Sequence, residues 1–193
     1  MEEKNNFYQR NANTSSGKDV YRYHAWYFVN KYLFAPSPVI MKNWRIFLLR
    51  LFGAKIGKGC YISPSAYITR PWELIMGNAS SIDDRCYITP PLKIGDQVAI
   101  SNNCHIIAGS HDVKSRGFEL IFNPIEIKDG AFIGCGCYIN AGVKIGVASV
   151  ISAHMNVLKS VPDNKIVVPD VIKPIKIDRM DPEDFEKYTF KID

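Results

Sequence analysis

The sequence predicts an all-β chain wound as a parallel β-helix of about five triangular coils, closed at one end by N-terminal α-helices. Three observations carry this. An aliphatic residue recurs at every sixth position: Ile56, Ile62 and Ile68, then after a two-residue slip Met76, Ile82, Ile88, Ile94, Ile100 and Ile106. After a gap the series resumes with Ile127, Ile133, Ile139, Ile145, Ile151 and Val157. The fifth position of each hexad is small or compact, as at Cys60, Ala66, Ser80, Cys86, Cys104, Ala131, Cys137 and Ser149. A period of six fits neither a 3.6-residue helix nor a heptad, whereas it suits a short β-branched strand followed by a corner. Three such sides close one coil, with a large and a small side chain pointing inward from each, so the fifteen hexads give about five coils. Gly follows the aliphatic residue at Gly57, Gly77, Gly95, Gly134 and Gly146, where it is read as the residue that lets the backbone turn the corner.

The elements follow in order. Residues 1–17, which open "MEEKNNFYQRNANTSS", are polar and expected to be disordered. Residues 18–53 are the helical cap. "DVYRYHAWYFVNKYLF" forms a first helix, and "SPVIMKNWRIFLLRLFG" a second, with Ser37 as N-cap, Pro38 in the first turn and Gly53 just past the end. The second helix is expected to seal the first coil with Ile40, Trp44, Phe47, Leu48 and Leu51. Alternatively, Lys42, Arg45 and Arg50 make it a basic amphipathic helix in peripheral contact with a membrane. Residues 54–162 form the β-helix, and residues 163–193 a C-terminal extension in which "DPEDFEKYTF" suggests a short helix capped by Asp181. A coil buries too little by itself, so coils must stack and the ends must be capped.

Composition narrows the function. The net charge of +5 is dispersed rather than gathered in a run, which argues against a nucleic-acid tail and suits an anionic small molecule. The polar opening lacks the order of a signal peptide, and "IFLLRLF" is too short and too charged to span a bilayer, so a cytoplasmic protein is expected, with the inner face of the membrane as its one alternative site. Five cysteines without a CxxC pair fit neither a disulfide framework nor a zinc cluster. Four of them occupy the small inward position as compact hydrophobes, and Cys135 is the exception.

The rhythm stops once, between the hexad of Ile106 and that of Ile127, so residues 112–126, "DVKSRGFELIFNPIE", are read as a loop inserted at one corner. Long loops without periodicity are usually functional. His111 stands at its base, where a rigid coil fixes one side of an imidazole and suits it to general-base work. His105 occupies the sixth position of its hexad, as do Tyr87 and Tyr138, and is assigned to an aromatic ladder.

The blocks "SPVIMKNWRIFLLRLFGAKIGKG", "IGDQVAISNNCHIIAGSHD", "NPIEIKDGAFIGCGCYINAGVKIG" and "LKSVPDN" resemble the hexapeptide-repeat sugar O-acetyltransferases of the maltose, galactoside and nodulation type, closest to those of colanic acid and other exopolysaccharide synthesis. The resemblance implies a left-handed parallel β-helix, a homotrimer with active sites between subunits, acetyl-CoA as donor, a saccharide acceptor and no metal. It assigns the general base to His111, the wall of the pantetheine arm to Phe132, Cys135 and Ala153, and the adenosine end to Lys159 and Lys173. Where the family has an "AGNPAK" turn, this chain reads "VPDNKIVVPDVIK". N-acetylation of an amino sugar, a scaffold without activity and a nucleophilic Cys135 remain as alternatives. A γ-type carbonic anhydrase would need three imidazoles on one zinc.

Overall fold

The computed structural model describes residues 17–115, 118–169 and 171–174. Residues 1–16 and the "DPEDFEKYTF" segment lie outside this range. Three parallel sheets form the sides of a triangular coil. Side one stacks Lys55–Ile56, Leu74–Met76, Leu92–Ile94, Ile125–Ile127 and Lys144–Ile145. Side two stacks Tyr61–Ile62, Ser81–Ile82, Ala99–Ile100, Phe132–Ile133, Val150–Ile151 and Lys165–Val168. Side three stacks Tyr67–Ile68, Tyr87–Thr89, His105–Ile107, Tyr138–Ile139 and Asn156–Val157.

Five coils are complete, and a bridge from Ile145 to Val161 together with Lys165–Val168 adds two sides of a sixth. The β-helix thus continues beyond residue 162, into the segment read as an extension. Val171–Pro174 folds back antiparallel on Lys165–Val168 and closes side two, which is where the sequence departs from the family turn. The hexad isoleucines fill the interior; Ile62, Ile82, Ile133, Ile139 and Ile151 are wholly buried. Each contributes about 1.5–3 kcal/mol by the apolar area it removes from water.

The corner glycines have a different cause from the one expected. Gly57, Gly77, Gly95, Gly134 and Gly146 do not adopt positive φ; a Cβ at Gly95 would stand 2.1 Å from Asp129 Oδ1 and 2.7 Å from its backbone nitrogen. Close approach of the next coil excludes a side chain there. The left-handed residue is the fourth of the hexad, as at Gly59, Ala79, Gln97, Gly136, Ala148 and His154. Where Gly is absent, alanine and unbranched or aromatic polar side chains bear that strain, and no β-branched residue takes the position among these turns.

The cap consists of α1 (Gly17–Val29), a π-helical turn over Asn30–Phe34, and α2 (Lys42–Leu51). α2 begins at Lys42, not at Pro38. The Ser37 hydroxyl donates to the Phe34 carbonyl, closing the preceding turn instead of capping α2. The buried face is also rotated: Arg45, Ile46, Leu48 and Leu49 pack inward, while Ile40, Phe47 and Leu51 are exposed.

The reason lies in the first coil. The residue after each inward aliphatic donates its N–H to the carbonyl of the matching aliphatic in the coil after it, as from Ser63 to Ile82 and from Gly57 to Met76. The carbonyls of Ile56, Ile62 and Ile68 in the first coil therefore lack a preceding coil. Three cap side chains replace it, one per side: Arg50 donates to Ile56, Arg45 Nε to Ile62 at 2.7 Å, and Trp26 Nε1 to Ile68 at 2.6 Å. Buried carbonyls require such partners. Arg45 also donates to Ser37 Oγ and to the carbonyls of Pro38 and Val39. Burial holds its guanidinium below the usual arginine range. Arg45 is wholly buried and Arg50 is tied to the coil, so neither has the membrane-facing part the sequence suggested. Among the described residues no helix is long and apolar enough to cross a membrane.

Candidate active site

The inserted segment is a β-hairpin. Gly109–His111 pairs antiparallel with Leu120–Phe122, His111 opposite Leu120, and the chain is back in side one at the buried Ile125. The excursion therefore ends before residue 126, because Ile125 aligns with Leu92 in the stack. Directly opposed residues of an antiparallel pair share a face, so His111 lies on the same face as Leu120 and Phe122.

Two contacts hold the imidazole. Its ring stacks on Phe118 with centroids 4.4 Å apart and planes 4° from parallel, and Nδ1 is 2.9 Å from the Phe118 carbonyl oxygen. A carbonyl can only accept, so Nδ1 carries the proton in the neutral ring and Nε2 keeps its lone pair. The ring is exposed.

Leu120 and Phe122 line a cavity of about 660 Å³ between the hairpin, α1 and side three. Tyr87 and Trp72 give it aromatic walls, Thr69 and Thr89 give hydroxyls, and Tyr23 and His24 close it from α1. Arg70 braces this cavity. It pairs with Glu73 at 2.8 Å, lies 3.6 Å over the Phe122 ring and donates to the Pro90 carbonyl. Thr69 Oγ1 is buried in the wall and has no hydrogen-bond partner among the described residues. The sequence reading missed Thr69, Arg70 and Glu73. Their signal was the two-residue slip between Ile68 and Met76, which the structure fills with the 3₁₀ turn Pro71–Glu73.

His105 stacks between Tyr87 at 6.0 Å and Tyr138 at 6.4 Å, and Tyr67 continues the ladder below Tyr87 at 5.6 Å. Its role is structural, as its hexad position predicts. Cys60, Cys86, Cys104 and Cys137 are buried at the inward positions, and their thiols donate to carbonyls of the next coil. A hydrogen bond with Cys104, with burial, pushes the Cys137 thiol up. Cys135 is half-buried. Among the described residues no group of three or more His, Cys, Asp or Glu side chains gathers as a metal site would require.

The remaining residues assigned by resemblance fall on two corners. Phe132 faces outward on side two, paired in register with Val150, while Cys135 and Ala153 follow in the turns between sides two and three. The His154 amide donates to the Cys135 carbonyl at 2.7 Å, which places these turns one above the other. In the next rungs of side two, Val150 pairs with Ile166 and Ile166 with Lys173. Lys159 stands between sides three and one, at the corner that also carries the hairpin, two coils further on. Within one chain the structure brings Phe132, Cys135 and Ala153 together and leaves His111 across side three from them.

No protein-family model matches the chain. It is 37% identical over 152 residues to the putative colanic acid biosynthesis acetyltransferase WcaF of Escherichia coli, an alignment that covers 78% of this chain and 84% of that protein. Its fold is similar to that of a hexapeptide-repeat acetyltransferase from Vibrio cholerae, with a TM-score of 0.70 at 24% identity over 79% of this chain and 88% of that one. It is also similar to galactoside acetyltransferase in complex with coenzyme A, with a TM-score of 0.62 at 22% identity over 91% of this chain and 88% of that one. With hexads, interrupting hairpin and extensive identity to WcaF in one chain, the protein belongs to the hexapeptide-repeat acetyltransferases, left-handed parallel β-helix enzymes of which the colanic acid biosynthesis acetyltransferases are its near relatives.

Proposed function

We propose that this acetyltransferase moves the acetyl group of acetyl-CoA directly to a hydroxyl of a saccharide in surface polysaccharide synthesis, with His111 as general base. The observation that carries the reading is the bond between His111 Nδ1 and the Phe118 carbonyl, which leaves Nε2 able to take a proton. The acceptor hydroxyl gives its proton to Nε2 as its oxygen attacks the thioester carbonyl carbon. The tetrahedral intermediate then collapses, the C–S bond breaks, and the departing thiolate takes the proton back from the imidazolium. A neutral imidazole on a rigid hairpin suits both transfers, because it accepts and returns the proton without leaving its ring plane.

The cavity suits a sugar in size and chemistry, since aromatic walls pack on the apolar face of a pyranose while hydroxyls orient its polar rim. The position of Phe132, Cys135 and Ala153 across side three from His111 supports a homotrimer in which the hairpin of one subunit meets the coenzyme A groove of the next, with Lys159 and Lys173 toward the phosphates. Galactoside acetyltransferase was solved with coenzyme A, which supports this donor.

Two measurements test the reading. The acetylated product is expected to be an ester, cleaved by mild alkali; an alkali-resistant amide would overturn O-transfer. Thr89→Val is expected to raise the KM for the acceptor by about fivefold, the worth of one neutral hydrogen bond, with Thr89→Ser restoring it. An unchanged KM in Thr89→Val would remove its hydroxyl from acceptor binding.

A further inference from the structure

The blunt end of the coil carries a face that neither the core nor acetyl transfer uses. α2 lies across the first coil on Arg45, Ile46, Leu48 and Leu49, its period places Phe47 and Leu51 on the opposite, exposed side, and the half-buried Trp44 stands between the two faces. Phe47 is 54% exposed, Leu51 67%, and Ile40, in the turn leading into α2, 89%. The Trp44 and Phe47 rings stack 5.8 Å apart, and Trp44 Nε1 donates to the Leu33 carbonyl, which joins this stripe to the exposed Tyr32 and Leu33.

The exposed charge around it is mostly positive. Arg45 and Arg50 serve the coil and Arg70 is paired with Glu73, while Lys31, Lys42, Lys55 and Lys58 are exposed. A second copy of the chain meeting this face would set these lysines against their like, since the nearby carboxylate of Glu73 is already paired with Arg70. Exposed aromatic and aliphatic side chains among lysines are the composition of an interfacial helix on anionic lipid.

We propose that this end of the protein docks on an anionic lipid leaflet, with Ile40, Phe47 and Leu51 entering the headgroup region and Lys31 and Lys42 meeting the lipid phosphates. The hairpin follows the third coil and so stands further along the axis than the cap. This inference stands apart from acetyl transfer and holds whatever the acceptor.

The test is co-sedimentation of the full chain with vesicles of phosphatidylcholine, with and without phosphatidylglycerol. Adding the anionic lipid is expected to strengthen binding at least about tenfold, and salt to weaken it. The Phe47→Glu/Leu51→Glu and Lys31→Glu/Lys42→Glu variants should each lose this binding with unchanged circular dichroism and thermal midpoint, since all four residues are exposed. Binding that ignores the anionic lipid, or persists in both variants, would overturn the proposal. So would a sedimentation-velocity result in which Phe47→Glu/Leu51→Glu dissociates an assembly, because the face would then belong to a second copy.

Discussion

Replacement of His111 by Ala or Gln is expected to lower kcat by about 10²–10⁴-fold, the range that a positioned general base supplies. The ring is exposed and stands outside the core, so the variants should keep the wild-type thermal midpoint and acetyl-CoA affinity by calorimetry. The lone pair on Nε2 is the working group, since Nδ1 is committed to the Phe118 carbonyl. Ring position matters as much as identity. Phe118 holds the imidazole by stacking and by its carbonyl, and only the stack can be removed by mutation, so Phe118→Ala should lower kcat less than loss of His111 does. Wild-type turnover in His111→Ala would refute the base assignment.

Arg45→Met is expected to destabilise the fold by about 1–3 kcal/mol, read from urea midpoints at unchanged m-value. Methionine fills much of the volume but cannot donate. The buried Ile62 carbonyl would be left unsatisfied, at about 1–3 kcal/mol, while the carbonyls of the exposed Pro38 and Val39 can turn to water. Because Arg45 supplies the hydrogen bond that a preceding coil would otherwise make, the loss should appear first as exchange of amides in the first coil. Lys42→Met, three residues away and exposed, should stay within about 0.5 kcal/mol of wild type. Equal stability of the two variants would show that water at the blunt end replaces the guanidinium without cost.

Much of the architecture was legible because a repeated side-chain choice reports a repeated environment. Ile62, Ile82, Ile100, Ile133 and Ile151 stack on one side as their spacing demands, and Cys60, Cys86, Cys104 and Cys137 take the small inward position. The break after Ile106 marked the hairpin and His111 for the same reason. The cap was misread because α2 offers two apolar stripes, and periodicity cannot say which one faces a coil. Thr69, Arg70 and Glu73 went unassigned because a two-residue slip shows that the coil changes there without showing what the extra residues touch.

Sequence by itself determined the coil, its core, the place of the inserted segment and the histidine beside it, since each follows from period, residue size or the interruption of a pattern; that the insertion is a hairpin came from the structure. Tertiary structure alone decided that Arg45, Arg50 and Trp26 satisfy the first coil, that the corner glycines answer to close approach, and that Arg70 braces a cavity against Phe122. Those outcomes depend on which carbonyl lacks a partner and which backbone comes near. Such distances arise between residues far apart in the chain and exist only once the coils have stacked.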